Sequence, residues 1–208
     1  HHAGMSAKSP AFELNTSEDN MSVTETDELI TIASGDLSLE ITKLPWSMTY
    51  KHKGRVLSKS GRKDLALMKT DWKGYAYDKG DYTDTYIRQQ LSMGVGELLY
   101  GFGERFTPFV KNGQSIDIFN QDGGTSTEQS YKNIPFYVSN KGYGVFVNHP
   151  EKVSFEAGTE MVTKAEFSVE GSYLDYFFID GPSMKDVLVK YTDLTGKPSL
   201  PAPWTFGL

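Results

Sequence analysis

The side chains best suited to chemistry crowd into one short stretch, "FNQDGGTSTEQ", residues 119 to 129. Asn120, Gln121, Asp122, Thr125, Ser126 and Thr127 place short donors and acceptors in a loop longer than a turn needs. Such groups suit a hydroxyl-rich ligand. Phe119, Tyr131, Phe136 and Tyr137 stand close enough in sequence to supply apolar walls. Asp122-Gly123 is also a strong turn dipeptide. The pattern alone therefore favours a hairpin connection and leaves ligand binding open.

Other chemistries find less support. "GFGERF" (residues 101–106) opens like a phosphate loop, but Glu104, Arg105 and Phe106 replace the third glycine and no helical pattern follows. Its glycines are better suited to bending a strand or letting another backbone come close. His52 and His149 lie far apart in turn-like segments without metal-ligand spacing, and read as a pair of surface histidines. No G-x-S-x-G elbow is present. Neither a metal nor a cofactor is expected.

The elements that must position the loop are strands. Leu37, Leu39 and Ile41 alternate with Ser38, Glu40 and Thr42, the period of a half-buried strand. Similar runs occur at 46–58 around Lys53-Gly54, at 134–149 around Asn140-Lys141-Gly142, and in "EKVSFEA" and "KAEFSVE". "YLDYFFID" is apolar on both faces and reads as a central strand, whereas residues 60 to 85 read as a long loop with at most one short strand. Ten or more strands with turns every 8 to 12 residues indicate an all-β sandwich. One helix is expected near 183–195, where Met184, Val187, Leu188, Tyr191 and Leu194 recur at helical spacing between Ser183 and Gly196.

Composition agrees. Aromatic residues make up 13% of the 208, which favours strands. The net charge of -6, with scattered Lys and Arg, gives nucleic acid little to hold. No apolar run approaches the roughly 18 residues of a membrane span. The absence of cysteine removes disulfides and thiolate chemistry and fits a cytoplasmic protein. Residues 1–5 read as the remnant of a purification tag, and 6–27 as a loosely ordered leading segment. The sandwich is expected over 28–196. Three prolines then mark 197–208 as a linker entering something apolar.

Three segments carry a resemblance: "YGFGERFTPFVKNGQ", "FNQDGGTSTEQSYKNIPFYVSNKGYGVFVNHPEKVSFE" and "FFIDGPSMKDVLVKYTDLTGKPSLPAPWTFGL". They closely resemble the amino-terminal part of glycoside hydrolase family 31, most nearly its bacterial α-xylosidases, and α-glucosidases share much of the frame. The match runs from about Leu91 to Leu208 and is weaker over Ser34 to Gln90. The resemblance implies a galactose-mutarotase-like sandwich followed by a (β/α)8 barrel that bears both catalytic aspartates. Such a barrel needs roughly 250 residues, so no catalytic residue is carried over and the fragment alone is expected to be inactive. The missing barrel and an oligosaccharide are the implied partners, and family relatives often form oligomers. The family's sandwich loop reaches over the active-site mouth. Asp122 falls on its sugar-contacting aspartate, and Gln121 stands where an arginine is usual. Asp122, with Gln121 and Thr125, is therefore the expected substrate-binding set. A stand-alone carbohydrate-binding sandwich is the competing reading.

Overall fold

A computed structural model describes residues 14–15, 20–72, 82–120 and 130–207. Among them fourteen strands form three antiparallel sheets, with one α-helix and a short 3-10 turn at Pro203–Phe206. The expected all-β sandwich is what the chain forms.

The first sheet is a meander of β1 (Met21–Glu25), β2 (Leu29–Ser34), β3 (Leu37–Thr42), β4 (Ser47–His52) and β5 (Arg55–Ser60). Its turns fall where the sequence places them; Lys53 and Gly54 both take positive φ, 49° and 80°, as a tight hairpin turn demands. β1 forms within the stretch expected to be loose.

The second sheet has the order β6-β7-β13-β12-β9, from β6 (Leu65–Trp72), β7 (Tyr82–Ser92), β9 (Gln114–Ile118), β12 (Val153–Ala157) and β13 (Lys164–Glu170). The stretch expected over 60–85 to be a long loop with at most one short strand instead holds the eight-residue β6 and the start of β7. β6 pairs with β7 along its whole length, from Leu65 opposite Gln89 to Trp72 opposite Tyr82.

The third sheet has the order β14-β11-β10-β8, from β8 (Leu99–Gly103), β10 (Asn133–Ser139), β11 (Tyr143–Val147) and β14 (Tyr176–Asp180). β14 is an edge strand, not a central one. It is apolar on both faces because both are covered. Phe178 stacks on Tyr50 and Tyr143, with ring centroids 4.0 and 4.9 Å away. Phe177 and Ile179 belong to a second cluster on the opposite side. Lateral edge position and facial burial are independent, and periodicity reports only the latter.

Two apolar clusters result. The larger lies between the sheets and includes Leu91, Leu99, Tyr137, Tyr143, Phe155 and Phe167. Phe155 and Phe167 face each other across the β12–β13 ladder. The smaller one lies on the other face of the third sheet, beneath α1 (Met184–Thr195), and contains Phe136, Val138, Phe146, Ile179 and Val187. α1 begins as expected. Ser183 accepts a hydrogen bond from the Asp186 N–H and donates its hydroxyl to the Asp186 carboxylate at 2.6 Å. Gly144 lets α1 lie close to the sheet: a Cβ there would come within 2.9 Å of Val187 Cγ1.

Candidate functional site

The proposed loop lies between β9 and β10. These strands belong to different sheets, and β9 pairs with β12. The connection is therefore a crossover between sheets. The hairpin favoured by the turn dipeptide is not formed. Gln121, Asp122 and Thr125 lie outside the described residues. Their flanks are described.

Asn133 and Arg105 bind both feet of the connection together. The Asn133 Nδ2 amide reaches Phe119 O at 3.1 Å, Asn120 Oδ1 at 2.7 Å and Ser130 O at 2.7 Å. Its Oδ1 accepts a hydrogen bond from Arg105 Nη2. The same guanidinium donates to Phe102 O at 3.2 Å and to Asp117 O at 2.9 Å. Residues before and after the loop are thus tied to one charged fork, and charge-assisted hydrogen bonds of this kind are the stronger ones.

Arg105 owes its position to the strand break before it. Gly101, Phe102 and Gly103 all take positive φ: 123°, 67° and 84°. That conformation strains a bulky residue by about 1–3 kcal/mol, and the burial of Phe102 among Tyr137 and Phe155 offsets it. A Cβ on Gly103 would stand 2.1 Å from Lys132 O, so only glycine lets β8 approach the residue leading into β10. The sequence reading of these glycines, close approach instead of phosphate binding, matches this geometry. Sequence reasoning missed Arg105 and Asn133 as a pair because they meet only in the fold.

Of the four aromatic residues expected to wall the site, two are available. Phe119 and Tyr131 are exposed; Phe136 and Tyr137 are core residues, at 5% and 0% exposure. Ser130, at the second foot, is 2% exposed, and its hydroxyl has no hydrogen-bond partner among the described residues. Asp117, beside the first foot, is held below its ordinary carboxylate pKa. Partial burial pushes it up, but hydrogen bonds from Lys152 and Ser154 outweigh that.

Beside the loop's second foot lies a cleft of about 550 Å³ between β8, β10 and α1. Gly103, Glu104, Lys132, Ile134, Leu188 and Tyr191 are among the residues lining it.

Both histidines lie elsewhere, and the surface reading of them is corrected. The His52 side chain is 12% exposed and His149 only 4%. His52 Nδ1 lies 2.6 Å from Asp180 Oδ2, and Lys190 Nζ of α1 donates to Asp180 Oδ1 at 2.7 Å. Burial pushes the Asp180 pKa up, but these hydrogen bonds outweigh it and hold the carboxyl below its ordinary value. His149 Nε2 accepts the Asp175 N–H at 3.0 Å while its Nδ1 faces Glu151 at 3.1 Å. That arrangement assigns the ring proton of the neutral imidazole to Nδ1. Each imidazole is thus used as a tie between segments. No group of three potential metal ligands occurs among the described residues. No described helix is long and apolar enough to cross a membrane.

Residues 1–156 match the glycosyl hydrolase 31 N-terminal galactose mutarotase-like domain. Over its whole length the chain is 44% identical to the alpha-xylosidase XylQ of Lactiplantibacillus pentosus and 46% identical to an alpha-xylosidase of Emericella nidulans. It covers 26% and 28% of those proteins, so it spans about a quarter of their length. Among solved structures, the cycloalternan-forming enzyme of Listeria monocytogenes superposes with a TM-score of 0.75 at 24% identity, over 91% of this chain and 18% of that one. That likeness supports the fold. The match over three quarters of the chain's residues settles its membership: it belongs to the galactose mutarotase-like N-terminal domains of glycosyl hydrolase 31.

Proposed function

We propose that the chain is the amino-terminal domain of a retaining α-xylosidase, which releases α-linked xylose from oligosaccharide ends. The whole-chain identity to α-xylosidases from both a bacterium and a fungus carries this reading. In it, the chemistry belongs to a catalytic domain elsewhere in the polypeptide, where two carboxyl groups about 5 Å apart serve as nucleophile and acid/base. This domain contributes recognition. Asp122 accepts hydrogen bonds from sugar hydroxyls, with Gln121 and Thr125 beside it. A carboxylate placed there discriminates well, because a ligand lacking the matching hydroxyl leaves it desolvated and unpaired.

The clamp at the loop's feet supports the assignment. Asn133 holds 119–120 and 130 together with three hydrogen bonds, and Arg105 fixes Asn133 in place with one more while binding Phe102 O and Asp117 O. A cysteine-free chain is also suited to a reducing, cytoplasmic setting.

The test uses the full-length gene product on aryl α-xylosides. Asp122→Ala should lower kcat/KM by about tenfold or more, since one lost sugar hydrogen bond is worth roughly 1–3 kcal/mol. Wild-type kinetics in that variant would return the loop to a structural role. The 208-residue chain alone should not turn over the same substrate. A preference for α-glucosides over α-xylosides in the parent would replace the xylosidase reading with a glucosidase one.

A further inference from the structure

We infer that the larger apolar cluster holds one internal water molecule, bound where Tyr137, Tyr143 and Glu97 converge at one end of the third sheet. The site is separate from the loop and its feet, and it stands whatever that loop binds.

The sequence puts hydroxyls where packing alone needs only carbon. Ser139 lies opposite Tyr143 in the β10–β11 ladder, and Tyr137 comes two residues before Ser139. Strand alternation therefore turns all three to one face, the face that meets the other sheets. Each is 0% exposed. The rings of Tyr137 and Tyr143 meet edge-on, with centroids 6.4 Å apart.

Glu97 joins them from the turn before β8, and it is only 5% exposed. It is held from three sides. Its Oε1 accepts the Ser139 hydroxyl at 2.7 Å, its Oε2 accepts the Gly94 N–H at 2.7 Å, and its backbone carbonyl accepts the Asn112 amide at 3.0 Å. A carboxylate offers about four acceptor positions, so its oxygens can take further donors. The Ser139 hydroxyl is already engaged, since it also accepts the Lys141 N–H at 3.1 Å.

The two phenols are the open end of this network. Neither hydroxyl has a hydrogen-bond partner among the described residues, and a buried donor left unpaired is costly. Yet the groups are close enough to act on one another. Burial raises both phenols well above their ordinary pKa, and the charge of Glu97 raises both further. Both therefore stay protonated, and each has a proton to donate. Polar groups that interact across a gap without bonding directly are the setting for a bridging water. A buried water settles where about two to four polar partners surround it. Here it accepts from Tyr137 and Tyr143 and donates to Glu97. Beyond Tyr137, the Tyr50 and Tyr176 hydroxyls, 2.7 Å apart, carry the polar chain on toward the first sheet. The ligand is water and not a metal ion, because Glu97 is the one carboxylate brought to the site by these contacts and no group of three potential metal ligands occurs among the described residues. The water joins β10, β11 and the turn before β8 through one polar point inside an apolar core.

A high-resolution crystal structure of the unmodified 208-residue protein tests this without any variant. It should show one round density peak about 2.7–3.0 Å from both phenol oxygens and from a Glu97 carboxylate oxygen. A direct Tyr137–Tyr143 hydrogen bond with no peak beside it overturns the proposal. A peak ringed by oxygens at about 2.3–2.6 Å is a cation and overturns it as well. Melting midpoints give an independent arm. Tyr143→Phe should abolish the peak and lower the midpoint by about 2–4 °C, because it strands the remaining members of the network. A raised midpoint means that the hydroxyl is an orphan and overturns the inference. Tyr137→Phe combined with Tyr143→Phe should lower the midpoint by less than the sum of the two single changes, since both phenols donate to the same molecule. Strict additivity overturns the shared water.

Discussion

The two apolar clusters of this domain are built from the same sheet and finished to different degrees. Tyr137 and Tyr143 point from β10 and β11 into the cluster between the sheets, and both are fully buried. Phe136, Val138 and Phe146, their neighbours along the same strands, point the other way, beneath α1. The first cluster is closed by opposing strands such as β12 and β13. The second is closed by one helix, which leaves Leu188 half exposed and an open cleft beside it. One sheet thus serves a sealed core on one face and an unsealed one on the other. The sealed side is closed by the domain's own strands, and the other side leaves apolar surface at Leu188 uncovered.

The largest test of this contrast is Phe155→Ala, in the sealed cluster. Phe155 is 2% exposed and touches Phe102, Tyr137 and Phe167. Truncation should cost about 3–5 kcal/mol, read as a lowered midpoint in denaturant. A loss under about 1 kcal/mol would mean that the cluster is not close-packed.

Asp180→Asn comes next, at about 3 kcal/mol, since it removes the buried carboxylate that His52 and Lys190 both contact. It also has a pH signature. The folded pKa of Asp180 lies below its ordinary value, so its contribution is fully present above about pH 4 and is lost as pH falls through the folded value. Wild type should therefore lose stability on acidification more steeply than Asp180→Asn, as followed by denaturant midpoints between pH 6 and 2. Parallel acid limbs would remove the tie from α1.

Gly103→Ala should cost about 2 kcal/mol or more, because a Cβ would collide with Lys132 O at a backbone angle that disfavours L side chains. In the full-length protein it should also raise KM, by displacing the loop's foot. Unchanged kinetics would separate the strand break from the loop. The smallest effect is Leu188→Ala, under about 1 kcal/mol in this chain. A loss as large as that of Phe155→Ala would erase the distinction between the clusters.

Much of this was legible in the sequence. The meander over 29–60 and α1 with its Ser183 cap follow from alternation and helical spacing, because each turns one face to the core, and the 133–147 hairpin, buried on both faces, is marked by its Asn140-Lys141-Gly142 turn. What escaped depends on distant partners. β6 lies before a Gly-, Asp- and Tyr-rich run, and its pairing with β7 provides the order that its own pattern does not announce. β14 looked central because burial on two faces reads the same whether or not a strand lies beside it. His52 and His149 looked like surface residues because the carboxylates and backbone groups that hold them are contributed largely by the 175–180 region. The loop itself was recognisable through its resemblance to a family. Its clamp was not, since Arg105 and Asn133 are 28 residues apart and are joined only by the glycine-broken strand.

A crossover has freedoms that a hairpin lacks. Inserting or deleting a residue in a hairpin turn disturbs the pairing of both strands, and a one-residue slip turns every side chain to the wrong face. The connection from β9 to β10 carries no such penalty. β9 takes its register from β12, and β10 takes its from β8 and β11. The segment between Asn120 and Ser130 can therefore change length and composition without repacking either sheet. Variation there is cheap for the fold, because neither sheet depends on it for its register.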